Sequence, residues 1–134
     1  MHNLLTERPK PTLEAQHLQI LSEEASPDIA ETFAADYATL LPRRVQRIVH
    51  AVNLRDRDMA RDASLSLKTA SWLAGALRMT QLCRELELAL AVADWAAAAA
   101  VAQNIELHQQ CLQDALASRP RPALAEPSLQ AFPR

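Results

Sequence analysis

Apolar residues recur every three or four positions along most of this chain, the period of helices that bury one face. Five helices are predicted. The first covers roughly Leu13 to Glu24, with Thr12 as its N-cap. The second opens on Ser26 as N-cap, Pro27 at the first helical position and Asp28 in the first turn. Its stripe is Ile29, Phe33, Tyr37, Leu40, Leu41, Val45, Ile48 and Val52, interrupted by Pro42, which predicts a kink near residues 38 to 42. Asn53 to Asp56 turns the chain into a third helix, Arg57 to Ala74, that buries Met59, Ala63, Leu67, Ala70 and Ala74. Gly75 ends it. A fourth helix, about Ala76 to Ala93, turns Leu82, Cys83, Leu86, Ala89 and Leu90 inward. Asp94 caps a fifth, Trp95 to about Ala117, with Ala98, Val101, Ala102, Ile105, Leu112 and Leu116 inside.

Long helices joined by short turns pack antiparallel to their sequence neighbours. The expected fold is all-α, an up-down-up-down four-helix bundle with a short extra helix at the N-terminal end. Residues 1–12 read as a flexible N-terminus, 13–117 as the bundle, and 118–134 as a Pro-rich tail without a stable fold of its own.

Composition narrows the chemistry. Ala (26) and Leu (21) fill a third of the 134 positions, aromatics are 4%, and Gly occurs once. One glycine leaves no material for a P-loop, a dinucleotide-binding turn or a nucleophile elbow. A net charge of −2 gives no general attraction to nucleic acid or to an anionic membrane, so neither is expected as a partner. No apolar run approaches the roughly 20 residues of a membrane span, and no secretory signal is read at the start. A cytoplasmic location is expected, with Cys83 and Cys111 as buried thiols.

Candidate catalytic constellations fail on spacing. His2, His17, His50 and His108 lack companion ligands apart from the isolated His108–Cys111 pair, so no metal and no cofactor are expected. Glu85 and Glu87 stand on different helix faces. Arg43, Arg44 and Arg47 read as a solvated basic face. No enzyme is expected.

The segment Asp62 to Glu87, D-A-S-L-S-L-K-T-A-S-W-L-A-G-A-L-R-M-T-Q-L-C-R-E-L-E, carries more information. It resembles the signature of histidine-containing phosphotransfer (HPt) domains, roughly A-H-x-L-K-G/S-x-x-x-x-x-G-A with L-C-x-x-L-E on the next helix. Leu67, Lys68, Gly75, Ala76, Leu82, Cys83, Leu86 and Glu87 stand in matching places. The turn at Asn53 to Asp56, the helix start at Asp94, a phenylalanine on the second helix and its Leu-Pro-Arg run also fit. The resemblance covers about residues 13 to 117. It implies a docking surface for receiver domains of two-component phosphorelays.

Where the resemblance places the phosphoacceptor histidine, three residues before Lys68, this chain has Leu65. Leucine has no nucleophilic nitrogen. Ser64 and Ser66 fall on other faces, and His50 is a remote substitute. Thr69 replaces the small residue after the lysine, and Asp62 puts negative charge one turn from Leu65, where a phosphoryl group would be repelled.

Phosphotransfer is therefore expected to be absent, leaving a face of Asp58, Arg61, Asp62, Leu65, Lys68, Thr69 and Trp72 for a response-regulator receiver or a hybrid kinase. The chain is expected to be a monomer that modulates or inhibits a phosphorelay. Two alternatives stand beside this. One is a helical adaptor that binds an unrelated protein through the Leu65–Trp72 face or the tail; for the face itself the plain alternative is that Trp72 packs under the first helix or the tail and Leu65 is a tolerated surface residue. The other is an active phosphotransferase whose histidine has been replaced.

Overall fold

The computed structural model describes residues 8–119; residues 1–7 and 120–134, including most of the segment read as a Pro-rich tail, lie outside it. The described chain is all-α. Its helices are α1 (Ala15–Glu24), α2 (Pro27–Asn53), α3 (Arg57–Ala74), α4 (Leu77–Ala91) and α5 (Trp95–Ser118). Helix α2 packs on α3 and α5, α4 packs on the same two, and α1 lies against α2 and α3.

One cluster of buried residues runs through α2 to α5. Its large side chains are Tyr37, Leu41 and Ile48 on α2, Leu67 on α3, Met79, Leu82, Leu86 and Leu90 on α4, and Ile105, Leu112 and Leu116 on α5. Helix α3 contributes a single large residue. The rest of its inner face is Ala60, Ala63, Ser64, Ala70, Ser71 and Ala74, small enough for its backbone to approach its neighbours closely. The two buried serines are satisfied: Ser64 Oγ donates to the Cys83 carbonyl at 3.3 Å, and Ser71 Oγ meets the Tyr37 hydroxyl at 2.6 Å. Burial pushes the Tyr37 phenol well above its usual range.

Several sequence expectations need correction. Met59 is 38% exposed, because the buried stripe of α3 runs through Ala60 one position later. Ile29 and Leu40 also face outward, since Ala30, Ala34, Tyr37 and Leu41 hold the inner register of α2. Val101 is only partly buried against the core. Cys111 is exposed, one position off the line of Leu112 and Leu116, whereas Cys83 is buried as expected. Thr12 is not the cap of α1. Glu14 is, its carboxylate accepting from the Gln16 amide, and the helix starts two residues later than the apolar pattern suggested. The other caps fall where the residue types put them: Ser26 to Ile29, Asp56 to Met59 and Asp94 to Ala97.

Three reversals share one geometry. After α2, α3 and α4 the chain passes through a left-handed residue, Arg55 (φ 54°), Gly75 (φ 82°) and Ala93 (φ 54°). In each, the next amide reaches back five residues: Asp56 to Ala51, Ala76 to Ser71 and Asp94 to Ala89. This is the Schellman closure, which satisfies carbonyls that a helix end leaves open.

Helix α4 has no side-chain N-cap. Residues 8–14 stand in for one. The Arg78 amide donates to the Pro11 carbonyl at 2.8 Å, and the buried Gln81 side chain both accepts from the Lys10 amide (2.9 Å) and donates to the Arg8 carbonyl (2.8 Å). Glu14 N–H donates to the Gly75 carbonyl at 2.7 Å, and a Cβ on Gly75 would run into the Glu14 carbonyl. Beyond this strap, on α5, His108 keeps its Nε2 buried with no hydrogen-bond partner among the described residues. Burial, and secondarily the Arg78 charge, hold its pKa below the ordinary value.

Gly75→Ala combines an unfavourable φ with a backbone collision and is expected to cost about 2 kcal/mol or more. Ala93→Gly relieves the same φ in open chain and is expected to stabilise by about 0.5–1 kcal/mol. Urea unfolding of the two variants checks both signs. For His108 the unfolded state binds the proton more readily than the folded one. Stability should therefore fall as pH drops below about 6.5, levelling once the folded-state pKa is passed. Unfolding midpoints of the parent and of His108→Gln, compared between about pH 7 and about pH 5, should converge as the pH falls.

Candidate functional site

The outer face of α3 is built by the register that buries its inner one. With Ala60, Ala63, Ser64, Leu67, Ala70, Ser71 and Ala74 inside, the residues between them must point out. Arg61, Asp62 and Thr69 are exposed, Leu65 is 52% exposed and Trp72 48%. Lys68 is half-buried. The sequence-predicted residues thus share one side of one helix.

Lys68 is not left to solvent. Its Nζ lies 3.0 Å from Oε1 and 2.9 Å from Oε2 of Glu87 on α4. A partly exposed pair of this kind contributes only about 0–1 kcal/mol to stability. Its larger effect is positional: it fixes the ammonium beside α4, one turn from Leu65, and cancels its charge there. At the start of α3, Arg57 Nη2 donates to the Ala91 carbonyl at 2.9 Å, tying that end of α3 to the end of α4. Between these ties lies a shallow groove of about 640 Å³, lined on α3 by Arg57, Asp58, Arg61, Asp62 and Leu65, and on α4 by Glu87 and Ala91. Its charges alternate in sign around an apolar floor.

Trp72 stands two turns beyond Leu65. Its ring meets His17 of α1 edge-on, with centroids 4.9 Å apart and planes at 83°. His17 Nδ1 is in turn 3.4 Å from Glu14 Oε1. Trp72 therefore both touches α1 and keeps half its surface in solvent, so neither the docking reading nor the packing alternative describes it alone.

Nothing on this face offers a strong nucleophile. Leu65 is apolar, Ser64 is buried and turned to the Cys83 carbonyl, and burial pushes the Cys83 thiol up to about 12. His50 is exposed near the end of α2, off this helix. Among the described residues no group of three or more His, Cys, Asp or Glu side chains is placed to hold a metal ion, and no helix is long and apolar enough to cross a membrane.

Sequence reasoning missed the Lys68–Glu87 clasp, the Arg57–Ala91 tie and the His17 contact. Each joins two helices, and the register between helices is not written in the periodicity of either. Lys68 and Glu87 were both singled out, but not as a pair.

The two leucines flanking Ser66 separate surface from core. Leu67→Ala empties a fully buried site and is expected to cost about 2–5 kcal/mol. Leu65→Ala is expected to stay within about 0.5 kcal/mol of the parent. Denaturant unfolding of both variants measures the contrast. Comparison of the whole chain with models of known protein families, with curated proteins and with solved structures finds no match.

Proposed function

We propose that this chain is a pseudo-phosphotransfer protein, a cytoplasmic, monomeric, HPt-like domain that binds a receiver domain of a response regulator or hybrid kinase and relays no phosphate. In this reading α2 to α5 form an antiparallel up-down-up-down bundle, with α1 added at one end. The tie from Arg57 at the start of α3 to Ala91 at the end of α4 supports that arrangement. So does the ion pair from Arg119, just after α5, to Glu31 near the start of α2, 2.7 Å long.

The observation that carries the functional reading is the exposed Leu65, in the place where the resembled family has its acceptor histidine, with Lys68 one turn on and bound to Glu87. An alkyl side chain there supplies binding area and no chemistry. Leu65 and Trp72, two exposed apolar anchors on one face, fit the pattern in which a few large side chains dominate an interface. Arg61, Asp62 and Thr69 supply a polar rim around them. Occupying the receiver surface without accepting phosphate would compete with active phosphotransfer proteins and damp the relay.

Calorimetric titration against receiver domains of the same host tests this. Binding in the micromolar range is expected. Leu65→Asp and Trp72→Ala should each weaken it about 30-fold, corresponding to about 2 kcal/mol, with helix content unchanged. A phosphorylated receiver should transfer no acid-labile label to the chain. Absence of binding to every receiver, or appearance of label, would sink the reading. Undiminished binding by both variants would remove the interface from α3.

A further inference from the structure

A second depression lies away from the α3 face, at the end of the molecule where α1 crosses the start of α2 and the end of α5. It is a cleft of about 540 Å³. Leu13, just before α1, and Leu18 on α1 form one side, Ala30 the α2 side and Ala115 the α5 side. Small residues at 30 and 115 leave the space, and mainly apolar atoms line it. Helix α1, its roof, has no buried residue in all ten positions, so its leucines are only half covered. An apolar cleft beneath a helix with no buried residue is an incomplete core.

The chain leaves α5 at the rim of this cleft. Arg119 lines it and is pinned there twice: Nη2 lies 2.7 Å from Glu31 Oε2, and Nη1 donates to the Leu116 carbonyl at 2.6 Å. Its backbone is extended (φ −63°, ψ 149°), the conformation that a following proline imposes. Pro120 supplies that proline in the sequence. The helix must therefore end at the cleft's edge, and the segment that follows begins within reach of it.

We propose that residues 120–134 of this chain dock in the cleft between α1, α2 and α5 and complete the core beneath α1. Leu124 follows Arg119 by five residues, a span of at most about 17 Å, and Leu129 and Phe132 come after it. Pro120 and Pro122 fix φ over the first part of that span, which lowers the entropy lost on docking. The apolar side chains of the segment match the apolar walls. This assignment concerns the opposite side of α1 from Trp72 and does not rest on the receiver-binding reading.

Hydrogen exchange of the full chain tests it. The double variant Leu124→Asp, Leu129→Asp changes no residue of the described helices, so its helix content should equal the parent's. Its α1 amides should exchange at least about tenfold faster, since each lost leucine contact alone accounts for about that factor. An anilinonaphthalene dye should bind the variant and not the parent, and a synthetic peptide of residues 120–134 should restore α1 protection and expel the dye. A reciprocal variant, Ala115→Trp, fills the cleft from α5 and should make α1 protection indifferent to the tail substitutions. Equal α1 exchange in parent and tail variant, or equal dye binding by both, overturns the proposal. Protection that rises with protein concentration overturns it too, by placing the segment on a neighbouring molecule.

Discussion

The backbones of Gly75 and Glu14 meet with no room for a Cβ between them, and one end of the molecule is organised by that contact. Gly75 is left-handed, so α3 stops there and α4 starts two residues later. Its carbonyl accepts from Glu14, which fixes where the N-terminal strap crosses. The strap then does for α4 what a cap residue does elsewhere: Pro11 accepts from an open amide, and Gln81 grips the backbone on either side of Pro9. Glu14 also caps α1, so the same residue sets the position of His17 against Trp72. A side chain at 75 would disturb the end of α3, the starts of α4 and α1, and the contact on the outer face together.

Helix α3 separates two jobs that many helices mix. Its inner face is small and nearly all alanine and serine, and stability comes from how closely that face approaches the large residues of α2 and α4. Its outer face carries Leu65, Lys68 and Trp72 with little share in the core. A residue on that outer line can change chemistry at almost no cost in packing. The Lys68–Glu87 pair fits the same division: the ammonium is satisfied by α4 without entering the core.

Much of this was legible in the sequence, and the failures have common causes. Proline and glycine placement marked the helix ends, and aspartate and serine caps marked most of the starts, because those signals are local. Met59 and Ile29 went wrong because a stripe of alanines gives weak contrast. Either Met59 or Ala60 fits a three-and-four spacing, and packing against α2 and α4, not hydrophobicity, selects the alanine. Cys111 erred in the same way, one position beside Leu112. Thr12 was a good cap residue in the wrong place, since residues 8–14 form the non-helical strap that reaches α4, and the chain bends at Thr12 itself. The positions named for the outer face of α3 do lie together on its solvent side, with Lys68 partly covered. The ties of that face to Glu87, Ala91 and His17 were not legible, since they depend on how three separate helices meet.

Helix α1 connects these observations. It has no buried residue of its own, an isolated helix of ten residues is marginal in water, and it still holds a fixed place. What holds it is its packing against α2 and α3, together with Leu13 against the core, the Glu14 backbone on Gly75, and His17 on Trp72. An element with no buried residue of its own, set beside an apolar cleft, responds strongly to any contact added or removed there. Its position bears directly on how much of Trp72 is presented. The surface offered by α3 is thus set partly by α3 itself and partly by how firmly α1 is held beside it.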